Sequence, residues 1–202
     1  MVGDRHGKNN MNESRERLKL RAELINQNLD YLVESINEIK EIICKTIKSG
    51  NKIMFCGNGG SAAESQHMAA EYCATLNCKN FRTGIPAIAL TVDTSFITAW
   101  TNDFGYKEVF SRQLETLGDD GDTLICYSTS GKSENILSAI QKANTMSTKV
   151  ILFTGNNKQL EISNLCDFIF HAPSDKTANI QEIHTLIGHE VCLAVEESLY
   201  KS

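Results

Sequence analysis

From Gly50 onward the chain alternates short apolar runs with amphipathic stretches, and this rhythm restricts the fold more than any other feature. Apolar runs too short for helices read as strands buried on both faces. The amphipathic stretches between them read as helices that cross back over a parallel sheet. The expected strands are Lys52 to Cys56, Ala87 to Val92, Thr123 to Tyr127, Lys149 to Phe153 and Asp167 to His171. Each is followed by polar or glycine residues and then by a helical pattern. Five parallel strands bring their C-terminal ends to one edge, where open α/β sheets bind ligands.

Ahead of the sheet, residues 1–12 are polar and glycine-containing and read as a disordered tail. From Glu13 to Lys48, Leu18, Leu24, Ile25, Leu29, Leu32, Ile36, Ile39 and Ile43 recur at helical intervals. That length suggests two helices or an intersubunit packing element; an ordinary core helix and an oligomer interface both fit. With 202 residues there is room for one compact domain, spanning about residues 40–202, plus this helical segment at 13–48.

The formal charge of -5, with no basic run, argues against a nucleic-acid binder. No apolar stretch approaches the ~20 residues that span a bilayer, and the first ten residues lack the apolar core of a secretory signal. The expected location is the cytoplasm. Seven cysteines, an odd number without a Cys-x-x-Cys pair, read as buried reduced thiols and not as disulfides or a zinc knuckle.

Two loops stand out. Gly57-Asn58-Gly59-Gly60-Ser61 joins the first strand to a helix through Ala62, His67 and Ala70. Its glycines allow positive φ and close backbone approach, and the helix start supplies free N–H donors, so it can cradle an anion or a polyol; a structural turn also accounts for it. Its spacing is neither a dinucleotide fingerprint nor a Walker loop. Ser128-Thr129-Ser130-Gly131-Lys132-Ser133 lies between the third strand and the helix Glu134 to Ala143. Its hydroxyls at a helix N-terminus can donate to three phosphate oxygens without a metal; a helix N-cap would use only Ser130 or Ser133.

Candidate proton-moving groups fall on two helices. His67 and Glu71 are one turn apart on the helix leaving the first loop, a spacing that a solvated pair also explains. On the C-terminal helix, Thr177 to Leu199, Gln181 and His189 differ by about 80° and can address one site. His184 lies about 140° from His189 and reads as a packing or capping residue. His189-Glu190 is not a zincin motif, because Leu193 stands where the second histidine belongs.

The two loops, together with Asn102-Asp103-Phe104-Gly105, Ser61, His67, Glu71, Ile180-Gln181-Glu182-Ile183-His184 and His189, resemble the sugar isomerase (SIS) domain and, within it, the phosphoheptose isomerases, over roughly Lys40 to Glu197. The resemblance implies a flavodoxin-like, three-layer α/β sandwich with a five-stranded parallel sheet and an N-terminal helical extension. It implies an aldose-ketose isomerase in which Glu71 shuttles the C1/C2 proton through a cis-enediol and His189 is the complementary acid-base group. Ser128, Thr129, Ser130 and Ser133 would hold the phosphate, with Asn58, Gly59, Gly60, Ser61, Asn102, Asp103 and Gln181 lining the sugar. His67, Glu71, Gln181 and His189 would bind one Zn2+ per subunit. The substrate would be sedoheptulose 7-phosphate, the product a lipopolysaccharide heptose precursor, and the assembly a homotetramer with active sites at subunit interfaces. Lys132 stands where some relatives have asparagine, and Ala178-Asn179 where better-known members carry an acidic or basic residue. SIS-domain proteins also include binders of the replication initiator, which lack the glutamate and the last histidine, and a sugar-phosphate sensor is a further alternative.

Overall fold

The computed structural model describes residues 5–76, 78–79 and 81–200. Two helices, α1 (Arg5–Gln27) and α2 (Leu29–Lys48), precede a sheet of β1 (Ile53–Gly57), β2 (Ala87–Ala89), β3 (Thr123–Tyr127), β4 (Lys149–Thr154) and β5 (Phe168–His171). Between and after the strands run α3 (Gly60–Cys73), α4 (Thr94–Phe104), α5 (Val109–Leu117), α6 (Glu134–Thr145) and α7 (Thr177–Tyr200). The five strands are parallel in the order β2-β1-β3-β4-β5. Strand order therefore reverses between β1 and β3, the place where doubly wound sheets open a crevice at their C-terminal edge.

Both sheet faces are covered, so alternate strand residues serve two cores. Ile53, Phe55, Ile125, Tyr127, Ile151 and Phe153 pack with α2, α3 and α7 through Ile39, Ile43, Met68, Tyr72, Ile183 and Val191. Met54, Cys56, Leu124, Cys126, Val150 and Leu152 face the other way, against Val109, Phe110 and Leu114 of α5 and Ile136, Ala139 and Ile140 of α6. This is the expected three-layer α/β sandwich. The expected helical extension is only half external: α2 buries Leu32, Ile39 and Ile43 in the first core, so it is a structural layer of the domain.

The long N-terminal pattern is two helices, as its length suggested, and the break falls at Asn28, whose side-chain amide turns back to the Leu24 carbonyl. The described part of α1 starts at Arg5, so the tail expected over residues 1–12 is helical from that point; its first four residues lie outside the described ones. All seven cysteines are free thiols, but only four are buried; Cys73 and Cys78 are exposed and Cys166 is partly so. Among the described residues, no helix is long and apolar enough to cross a membrane.

Candidate active site

The first loop turns sharply because its glycines permit it. Gly59 precedes α3 with φ of 55°, a left-handed value that side chains resist. A Cβ on Gly60 would sit 2.7 Å from the Gln181 amide nitrogen, so a side chain there would push the Gln181 amide aside. The loop is tied down by Asn58, whose carbonyl oxygen accepts from the Tyr106 hydroxyl at 2.9 Å and from the Asn135 amide at 2.8 Å, while its own amide donates to Asn135 at 2.9 Å. Tyr106 and Asn135 had no signal in the sequence, because their partners come from distant segments.

Helix α3 then carries His67 and Glu71 on one face, with His67 Nδ1 3.7 Å from a Glu71 carboxylate oxygen. On the facing α7, His189 meets His67 with Nε2 to Nε2 at 2.7 Å and the rings edge to face. Ligand atoms of His67, Glu71 and His189 all lie within 4.8 Å of one another. Two imidazole nitrogens this close need a proton between them or a cation drawn to both lone pairs. Two imidazoles and a carboxylate form a donor set that suits Zn2+, whereas the Gln181 amide, expected to join them, packs against Gly60 two turns before His189 on α7.

Glu64, one turn before His67 on α3, escaped the sequence reading, although its spacing from His67 and Glu71 already put it on their face. One of its oxygens accepts from the Thr185 hydroxyl at 2.6 Å, and the other is buried without a partner. Burial pushes the Glu64 carboxyl above the usual carboxylate range, against the bond from Thr185 and the nearby charges of His67 and His189. Glu64, Thr185, Gln181, Gly60 and Ser61 line a cavity of about 260 Å³ between the starts of α3 and α7. His184 lines it too but turns into the core, 1% exposed, with Nε2 3.2 Å from the Thr154 carbonyl. It is a packing residue, as its angle from His189 predicted.

The second loop leaves β3 next door. Ser128 is buried and its hydroxyl lies 3.4 Å from that of Ser133; Ser130 is exposed and accepts from the Lys132 N–H at 3.2 Å. Ser133 occupies the N-cap position of α6, yet its side chain makes no capping hydrogen bond, so a capping role does not explain its hydroxyl. Gly131 turns at φ 66° and Thr129 is partly exposed beside it. Asn102 and Asp103 sit exposed in the last turn of α4, where Asn102 donates to Asp103 at 2.8 Å.

Two glycine or serine loops leave neighbouring parallel strands at the C-terminal edge of the sheet, and a carboxylate and an imidazole pair meet where α3 faces α7. Residues 19–155 match the SIS domain family, to which the chain belongs. The phosphoheptose isomerase of Akkermansia muciniphila is 48% identical over 172 residues, covering 85% of this chain and 89% of its own. That of Clostridium acetobutylicum is 47% identical over 168 residues, 83% of this chain and 84% of its own. The solved phosphoheptose isomerase GmhA from Neisseria gonorrhoeae superimposes with a TM-score of 0.84 at 34% identity, covering 93% of this chain and 98% of its own. Within the SIS proteins the chain is therefore a member of the phosphoheptose isomerase family, and it is an isomerase. The initiator-binding and sensor alternatives find no support among these relatives.

Proposed function

We propose that this isomerase interconverts D-sedoheptulose 7-phosphate and D-glycero-D-manno-heptose 7-phosphate, with Glu71 as the carbon base. The observation that carries the assignment is the cluster of His67, Glu71 and His189, on the helix that leaves the first loop and the helix that faces it. Glu71 takes a proton from C1 of the ketose while a proton is delivered to O2, giving a cis-enediol. The same carboxyl then returns its proton to C2 as O1 gives one up, giving the aldose. His189 is the group that supplies the O2 proton and accepts the one from O1. Ser128, Thr129, Ser130 and Ser133 hold the phosphate through hydroxyls and the α6 N-terminus. Asn58, Gly59, Gly60, Ser61, Asn102, Asp103 and Gln181 orient the sugar hydroxyls. Zn2+, one per subunit, would be held by His67, Glu71, Gln181 and His189 and supplies Lewis-acid polarisation of substrate oxygens when bound. The protein works in the cytoplasm, on heptose units for lipopolysaccharide, as a homotetramer with sites at subunit interfaces. Exposed Leu18, Leu20 and Val33 on α1 and α2 support that assembly.

The test is incubation with sedoheptulose 7-phosphate in deuterated water. The wild type gives the aldose with deuterium at C2, and Glu71→Gln loses about 10²-fold or more of the rate while remaining folded. A wild type that yields neither product nor exchange overturns the assignment; full exchange by Glu71→Gln overturns the role of the base alone.

A further inference from the structure

Helix α3 ends just past Glu71, and its last carbonyls lack partners within the helix. Arg82, from the segment before β2, comes beneath this end with its side chain only 3% exposed. Its Nη2 donates to the carbonyl of Glu71 itself at 3.0 Å, and its Nη1 to the carbonyls of Tyr72 at 2.9 Å and Thr83 at 3.1 Å. The remaining donors, Nε at 2.8 Å and Nη2 at 2.6 Å, close on one carboxylate oxygen of Glu196 in α7. All five guanidinium hydrogens are thereby accounted for. The same Glu196 oxygen also accepts from the Leu76 N–H at 3.0 Å, and the Tyr200 ring covers the guanidinium, its centroid 5.8 Å from Cζ.

Glu196 lies two turns beyond His189 on α7, on the same face. The pair therefore joins the backbone of the residue assigned as the base to the helix that carries its partner histidine. A buried ion pair is on average no more stabilising than apolar residues of the same size, and Val195, Cys192 and Tyr72 already make this region a core. What an apolar replacement could not do is bind the Glu71 and Tyr72 carbonyls in a fixed planar geometry.

We propose that Arg82, held by Glu196, is a positioning residue that sets the Glu71 carboxylate against His189. This rests on the reading of Glu71 as the base. The experiment compares wild type, Arg82→Lys, Glu196→Gln and Glu71→Gln as full chains acting on sedoheptulose 7-phosphate in deuterated water. Two quantities are read: the split between kcat and KM, and the fraction of the transferred hydrogen lost to solvent per turnover. The second is a ratio, so it is independent of how much of a variant is folded and can be read on any active fraction. Expected are a kcat lower by about tenfold to a hundredfold, as for a base misplaced by up to ~1 Å, KM within about twofold, and a higher washout fraction in both Arg82→Lys and Glu196→Gln. Wild-type kcat per folded molecule and wild-type washout in both variants, whatever their thermal stability, overturn the inference and leave the pair purely structural. If Glu71→Gln itself keeps full exchange, it is the assignment of the base that fails; if it is inactive while the other two match the wild type, only the positioning role fails.

Discussion

Acidifying the protein from pH 7 to pH 5 should cost it about 2 kcal/mol of stability through His184 alone. The ring is 1% exposed and packs at 5.7 Å from the Tyr127 ring and 5.5 Å from that of Phe153. Burial lowers its pKa from 6.5 to about 4, opposed only by the contact with the Thr154 carbonyl. The folded state thus resists a proton that the unfolded chain takes up readily. Stability from this group is fully present above the unfolded value of about 6.5 and declines as pH falls towards 4. Two protonation equilibria with these constants differ by about 2 kcal/mol more at pH 5 than at pH 7, or about 4–8 °C in Tm for a chain of this size. Urea unfolding at both pH values and one fixed protein concentration measures it, with His184→Phe as the comparison. The variant leaves the Thr154 carbonyl with a partner, because the Ala172 N–H also donates to it at 2.8 Å. The wild type should lose about 2 kcal/mol more than His184→Phe between the two pH values. Equal losses would refute the reasoning, since the remaining histidines and carboxylates are common to both proteins.

Gly131→Ala places a Cβ 2.7 Å from Leu160 Cδ2 and 3.0 Å from Thr154 Oγ1 at a residue with φ 66°. It should cost about 1–3 kcal/mol in thermal unfolding and raise KM through the serine loop more than it lowers kcat. An unchanged KM would count against phosphate binding there. Zinc at a hundredfold excess over its Kd should raise the stability of the chelator-treated protein by about 2.7 kcal/mol. That gain should vanish in His67→Gln and in His189→Gln, and scanning calorimetry decides; an equal gain in either variant removes that histidine from the metal site.

The central strands were legible because each is a continuous apolar run between polar stretches: Thr123–Tyr127 is observed as expected, β1 shifts by one residue and β4 runs one residue further. The edge strand is shorter than expected. Only Ala87–Ala89 pair in β2, since beyond Leu90 the chain turns away from β1 and Val92 is exposed. Helix α4 was missed although Phe96, Ile97 and Trp100 form a short apolar stripe against the second core, because the stripe is brief and none of its residues is fully buried. At the site, local spacing gave Glu71 beneath His67, but not the contact between His67 and His189, which closes across 122 positions of chain. Nor could sequence show that one Glu64 oxygen is buried without a partner, because that depends on how closely α7 approaches at Gly188 and Thr185.

The two loops rise from hydrogen-bonded neighbours, with Gly57 of β1 opposite Tyr127 of β3. They leave the sheet at one height and one strand spacing apart, roughly 4.8 Å, a distance fixed by peptide geometry. Substitutions within either loop therefore change the groups presented at this edge of the sheet while the spacing of the strands that carry them stays the same.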